Sequence, residues 1–295
     1  MEDGEIVEAR IALEGITRAG SVIAARLVTS APRNAVARDE QGTEYLLPRG
    51  APGVTEGGTL NIEVRREAIP GAEPWKRPLA RMTGAPAGYA PPVEGRPASG
   101  DELRTGGWDD LVEEARTGIV HFGGGELRVS PTPAMTLIDV DGYLAPDELA
   151  VLGAAEAAKA IRRLDIGGSI GIDLPTAGLK AARQRAADAI DAILPQPFER
   201  TAVNGFGFVQ IVRPRQRASL VEQAQDRAPF EARALLRRVA FEGAGAKRIV
   251  AHPAIVAALQ AKPDWLDSIA RQVGGAIGLR ADASLPMSGG YAEKA

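Results

Sequence analysis

Cysteine is absent from this 295-residue sequence. That excludes disulfides, thiol chemistry and cysteine-ligated zinc. Histidine is nearly absent: His121 and His252 are the only two, so a histidine-rich metal site cannot be assembled. No run of about eighteen apolar residues occurs, the length a membrane-crossing helix needs, and no membrane partner is expected. Neither charge dominates. Thirty-five Lys and Arg stand against 38 Asp and Glu, a formal net charge of −3. That total announces no polyanion partner, although a basic groove can coexist with an acidic remainder. The opening MEDGEIVEAR lacks the basic and apolar pattern of a secretory signal, and the expected location is the cytoplasm.

What is present is the composition of a soluble globular protein, 45% hydrophobic and 25% charged. The length allows several domains. The expected class is a multidomain chain of α+β and α/β character in four parts. Residues 1–83 read as a small β-barrel. Five short runs, EIVEARIALEG, SVIAARLVT, RNAVARDE, TEYLLPRG and TLNIEVRREAI, alternate or carry β-branched residues and are separated by Gly, Pro and Asn. Closing five short strands removes their exposed edges. Residues 84–103, beginning GAPAGYAPPVEGRPASG, form a Pro/Gly-rich linker. Residues 104–218 form a central α/β unit: a helix over WDDLVEEARTG, a hairpin turning at Gly123 to Gly125, and then strand, helix, strand. Residues 219–295 form a small α/β domain with a loose tail, PMSGGYAEKA.

The stretch with chemistry in it lies in the central unit. Two apolar runs, MTLI and GSIGI, each lead into an aspartate, Asp139 and Asp173. The helix between them, PDELAVLGAAEAAKAIRRL, opens with proline and acids and ends in arginines, as a helix dipole favours. A strand–helix–strand crossover makes the two strands parallel. Both aspartates would then close neighbouring strands in the same phase, where ligands of parallel sheets collect. Two carboxylates that close repel unless a cation intervenes. Mg²⁺ suits such a pair, because it takes one or two carboxylates, keeps waters and accepts phosphate oxygens. Asp141 could add a third oxygen. Each aspartate alone also fits a turn or cap, and Asp141-Gly142 is a good turn dipeptide.

The surrounding residues resemble the ribonuclease E/G family. Gly124-Gly125-Glu126-Leu127 is similar to the family's hairpin. Thr132 to Asp141, TPAMTLIDVD, is similar to T-E-A-x-T-x-I-D-x-N. Asp165 to Asp173, DIGGSIGID, is similar to D-x-G-G-x-I-x-I-D. Arg183-Gln184-Arg185, Phe206-Gly207 and the arginines from Arg213 to Arg217 follow in family order. The resemblance implies a nuclease-like central subdomain with Asp139 and Asp173 on Mg²⁺ (Mn²⁺ as a substitute) and a cation-activated water cleaving single-stranded RNA. It also implies an amino-terminal barrel of oligonucleotide-binding type, with Tyr45 near a proline and Lys76 as an RNA contact; the barrel residues themselves read either as a solvated surface or as a binding face with Tyr45 or Trp75 as a stacking aromatic. Departures are specific. Asp141 stands for the motif's Asn, Pro133 for its Glu and Gln210 for a later Glu. The C-P-x-C run of the family's zinc link is missing, so no zinc is expected and the chain should be a monomer or weak dimer. The region of the family's sensor for RNA 5′-monophosphate is reduced to the linker.

Basic residues flank the predicted site. Lys180, Arg183 and Arg185 head the helix after Asp173, and Arg213, Arg215 and Arg217 end a later strand. Contacts of this kind position a phosphate backbone without reading sequence. Two other functions remain open: a non-catalytic RNA-binding protein of the same fold, and a dehalogenase-type phosphohydrolase. The second is suggested by IDVDGYL, which resembles an apolar strand followed by D-x-D-G-T-L, with Asp139 as nucleophile and Asp141 as acid/base.

Overall fold

The first run expected to be a strand does not enter the barrel. In the computed structural model, which describes every residue except 70, 72, 74, 93–95 and 97, residues 5–15 form no strand. The Ile6 N–H donates to the Gly106 carbonyl and the Ala9 N–H to the Arg163 carbonyl. The segment is a strap on the central unit, with Ile6 and Ala9 buried. An extended strap with one buried side shows the same apolar–polar alternation as a strand, which is why the pattern misleads.

The barrel still has five strands. They are β1 (Val22–Thr29), β2 (Ala35–Arg38), β3 (Glu44–Leu47), β4 (Thr59–Arg66) and β5 (Leu79–Met82), closed in the order β1-β2-β3-β5-β4. The fifth comes from PLARM, outside the five runs expected to be strands. It pairs parallel to β3 and antiparallel to β4. Inward residues Leu27, Ala37, Tyr45, Leu47, Ile62 and Val64 fill the interior. Beyond it, α1 (Gly100–Thr105) begins inside the expected linker. Ser99 caps it, accepting from the Glu102 N–H while Glu102 accepts from the Ser99 N–H.

The central unit continues with α2 (Trp108–Thr117), β6 (Ile119–Phe122), β7 (Gly125–Pro131), β8 (Thr136–Gly142), α3 (Pro146–Arg163), β9 (Gly168–Asp173), α4 (Lys180–Ile193), β10 (Glu199–Arg200) and β11 (Phe208–Arg213). Its sheet runs β10-β11-β9-β8-β7-β6. β8 and β9 are parallel, joined by α3, and the remaining pairs are antiparallel. One side of β8, β9 and β11 is apolar: Ile138, Val140, Ile170, Ile172, Val209 and Ile211 are all buried. α3 lies against β7 and β8, and α4 lies alongside α3. Their buried sides are mostly alanine, so the backbones approach closely. A Cβ on Gly153 would come within 2.3 Å of Val140 Cγ1. The opposite side of the sheet carries Leu137, Asp139, Asp141, Asp173 and Val212, all exposed.

Residues 214–217 tie the barrel to this sheet. The Arg215 guanidinium bridges Glu73, at 2.7 Å, and Glu222. Arg217 donates to Asp165 at 2.9 Å and lies 3.7 Å from Glu67, whose N–H bonds the Gln216 carbonyl. Barrel and sheet accordingly belong to one compact unit, Met1–Glu222, and Gln223–Ala295 forms the other. The helix α5 (Leu220–Gln225) runs across the division.

The second unit holds α6 (Arg227–Ala240), β12 (Lys247–Ala251), α7 (Pro253–Gln260), α8 (Pro263–Val273), β13 (Ile277–Ala281) and β14 (Tyr291–Lys294). Its sheet is β13-β12-β14, the first pair parallel and the second antiparallel. Leu235, Val239, Ile249, Ile255 and Leu259 form its core. The tail is not loose. Its last residues pair with β12 from Val250–Tyr291 to Lys247–Lys294. The Pro-Met-Ser-Gly-Gly stretch before it is loop-like, and a four-residue edge strand carrying two charges gives little periodic signal. No helix among the described residues is long and apolar enough to cross a membrane.

Because Gly153 sits where a side chain would enter Val140, Gly153→Val should overpack the helix–sheet contact. The expected loss is about 1–3 kcal/mol, read as a lower urea midpoint by circular dichroism. A midpoint equal to the parent's would show that α3 does not lie this close.

Candidate active site

Carboxylates become neighbours when parallel strands place them in the same register. β8 and β9 pair Thr136 with Ile170, Ile138 with Ile172 and Asp139 with Asp173. Adjacent strands lie about 4.8 Å apart, and directly paired residues project to the same side of the sheet. Ile138 and Val140 face the helices, so alternation turns Asp139 and Asp141 outward. Asp173 ends β9 and is exposed.

Asp139 does not end its strand. The expectation that both aspartates close their strands holds for Asp173 alone, because β8 runs on to Gly142. The reason is the hairpin. β7 offers Glu126 and Gly125 as partners for Asp141 and Gly142. A side chain at Gly125 would put its Cβ 1.9 Å from the Asp141 carbonyl oxygen. Glycine there lets β7 stay on β8 two residues beyond Asp139.

The three aspartates are not neutralised by the protein. Arg128 lies directly across from Asp139, but its guanidinium pairs with Glu126 at 2.6 Å. No ion pair reaches Asp139, Asp141 or Asp173 among the described residues. Partial burial, with the like charges of Asp141 and Asp173, pushes the Asp139 carboxyl above the usual aspartate range. Among the described residues, no three His, Cys, Asp or Glu side chains converge as a metal-holding group. The donor set is therefore a pair of facing carboxylates on an open sheet. That is enough for Mg²⁺, which fills its other positions with water and phosphate, and it would not make a closed protein cage. A cleft of about 570 Å³ lies elsewhere, lined by Arg10, Arg18, Glu67, Pro91 and Arg217, and none of the three aspartates lines it.

No family model matches the sequence, and no curated protein is significantly similar to it.

The basic and aromatic residues expected to touch RNA separate into two groups. Tyr45 is a correction: its ring is 1% exposed inside the barrel, and its hydroxyl bonds Asp39 at 3.0 Å and Thr17 at 3.1 Å. Burial pushes its phenol up to about 12. It is a core residue whose polar tip is satisfied, and no base can stack on it. Arg215 is likewise engaged, holding Glu73 and Glu222, and Lys76 pairs with Glu73 at 2.5 Å. Arg213 donates to the Ile166 carbonyl and Arg183 to the Ala177 carbonyl. These four stabilise the fold with the donors a phosphate would need. Lys180 and Arg185 are exposed on α4, which follows Asp173. Trp75 is 69% exposed on the barrel.

Sequence reasoning gave no site role to two side chains near the aspartates. Tyr143 follows Gly142 at the end of β8 and is 81% exposed, and Phe206 precedes β11 and is 82% exposed. An aromatic inside Asn-Gly-Phe-Gly was the available signal, since a glycine-flanked ring has few neighbours to bury it.

The native state binds a proton on Asp139 more tightly than the unfolded chain does. Its ionised form is thus a destabilising element at neutral pH, and that penalty fades as pH falls through the raised value. Asp139→Asn should raise the thermal midpoint at pH 7 and low salt. The gain should shrink on acidification and vanish below the ordinary aspartate value of about 4. Calorimetry across pH checks this, and an Asn variant less stable than the parent at pH 7 would contradict it.

Proposed function

We propose that this protein is a Mg²⁺-dependent endoribonuclease of the ribonuclease E/G type, acting on single-stranded RNA. The observation that carries the reading is the direct register of Asp139 and Asp173 on parallel strands, on an exposed sheet face. Small-molecule sites are concave and enclosed. Carboxylates on an open face suit an extended polymer that lies across the strands. The central unit is read as nuclease-like on this basis. The barrel, with its single parallel pairing of β3 and β5, is read as the oligonucleotide-binding type.

Asp139 and Asp173 would hold Mg²⁺, or Mn²⁺ in its place, and Asp141 would reach it directly or through water. Bound there, the cation would lower the pKa of a water and stabilise charge developing on a phosphate. The chain's own contribution is to hold two carboxylates in register on a rigid sheet, so that little reorganisation remains when the cation arrives. Lys180 and Arg185, exposed on the helix after Asp173, would contact the phosphates of the bound strand. Without cysteine there is no zinc link, and a monomer or weak dimer in the cytoplasm fits the reading.

One observation favours a second reading, an RNA-binding protein that has lost turnover. No third acidic or histidine side chain joins the pair among the described residues, and Asp141 adds charge where the family motif has Asn. RNA binding that survives EDTA, with no cleavage under any divalent metal, would establish it. The dehalogenase-type alternative, with Asp139 as nucleophile, is distinguished by phosphate release from a simple phosphomonoester.

Labelled single-stranded RNA should be cleaved in Mg²⁺ and left intact in EDTA. Asp139→Asn combined with Asp173→Asn should slow cleavage by more than the roughly 10–100-fold that loss of an outer-shell partner costs. Mg²⁺ should also raise the thermal midpoint of the parent and leave that of the double variant unchanged. Cleavage by the double variant at the parent rate would overturn the assignment.

A further inference from the structure

Both rings beside the aspartates stand at the same end of the sheet. Tyr143 continues β8 past Gly142, its N–H donating to the Gly124 carbonyl at 3.2 Å. Phe206 lies two residues before Phe208, which pairs directly with Asp173. In the strand order β11-β9-β8 the two rings fall on opposite sides of β9, with Asp173 between them. Two strand spacings set them roughly 10 Å apart along the hydrogen-bonding direction.

The Phe206 loop is rigid. The Asn204 Oδ1 accepts from the Phe206 N–H at 2.9 Å and from the Phe208 N–H at 3.1 Å. Gly207 takes φ +92°, and a Cβ there would stand 2.1 Å from the Leu174 carbonyl oxygen. Its own carbonyl accepts from the Leu174 N–H at 3.3 Å. The loop is thus pinned to the residue after Asp173, and the ring it carries is directed away from any core. Single exposed apolar residues are ordinary on protein surfaces. Two aromatics more than 80% exposed, at the same sheet end as the paired carboxylates and with one on a hydrogen-bonded loop, form a pattern that a stacking ligand would use.

We propose that Phe206 and Tyr143 each stack an unpaired base of a strand whose phosphate lies at Asp139 and Asp173. They would then be the residues that select single-stranded over duplex RNA. The inference rests on the ribonuclease reading for that phosphate. Base–aromatic stacking tolerates any sequence because every base presents a π-face. In a duplex those faces are already occupied by neighbouring base pairs, so the rings have nothing to take. The polar rim of the Tyr143 ring suits a position in water, and the ring of Phe206 contributes its face alone.

The experiment measures binding of the full chain by fluorescence anisotropy in EDTA, where no cleavage occurs. The probes are a labelled oligouridylate, the same backbone made abasic, and a duplex RNA. Phe206→Ala with Tyr143→Ala should weaken oligouridylate binding by about tenfold or more. Abasic and duplex binding should stay at the parent level, and Phe206→Tyr with Tyr143→Phe should retain the parent affinity. An Ala variant that binds oligouridylate as tightly as the parent overturns the proposal. So does equal loss on all three probes, which would mean a collapsed loop. The ribonuclease reading fails separately: a parent that never cleaves but shows the stacking pattern sinks hydrolysis alone, and cleavage without the pattern sinks stacking alone.

Discussion

Two aspartates set side by side on one sheet repel each other, and the sheet must hold them there by other means. The opposite face supplies those means. Ile138, Val140, Ile170 and Ile172 are buried beneath Asp139, Asp141 and Asp173, and each buried aliphatic side chain contributes about 1.5–3 kcal/mol. That burial outweighs the repulsion of partly solvated carboxylates. Because side chains alternate along a strand, the same register that buries the isoleucines turns the aspartates outward. A slip of one residue would bury the charges and expose the core. The carboxylate pair is therefore fixed by hydrophobic burial on the other side of the sheet.

The crossover helix makes this possible at close range. α3 presents Ala150, Gly153, Ala154, Ala157 and Ala158 as its buried side, small residues that let its backbone settle onto β8. Alanine favours helix and loses no side-chain entropy on burial, so the composition serves local propensity and packing together. The arginines after β11 fasten the barrel to the same sheet. Arg215 and Arg217 are largely buried between Glu73, Glu222, Glu67 and Asp165. Removing one partner from such a group costs more than forming it gains, because the other charges stay desolvated. Such bridges set the register of barrel and sheet more than they add stability.

Much of this was legible in the residues. The crossover, the hairpin at Gly123 to Gly125 and the pairing of Asp139 with Asp173 all follow from apolar runs, helix-start signals and the handedness of connections. What was not legible depended on distant partners. Residues 5–15 have the alternation of a strand, but among the described residues they join no sheet, and Glu5 makes only an isolated bridge to Glu2. β5 was hidden because its four residues include an outward arginine and a single buried alanine, Ala80. Tyr45 read as a stacking aromatic because aromatic identity says nothing about which way a β3 residue faces. The barrel's closure decides that, and it turns Tyr45 inward. Arg213, Arg215, Arg183 and Lys76 read as RNA contacts for the same reason: charge is visible in sequence and its partner is not.

The surface around the aspartates then acquires a definite character. Arg128, Arg183, Arg213 and Arg215 are engaged within the protein, while Lys180 and Arg185 are exposed on α4. On the proposed reading a divalent ion would sit between one phosphate and the carboxylates, and the rings would hold bases with or without it. The exposed side chains that remain near the aspartates are largely apolar: Tyr143, Phe206, Leu137 and Val212. Affinity for a strand would then come from bases on rings, with the ion bridging one phosphate to the carboxylates. Binding built this way discriminates by whether bases are available. On the proposed reading, the same geometry that leaves the aspartates without an ion pair among the described residues would favour an unpaired nucleic acid.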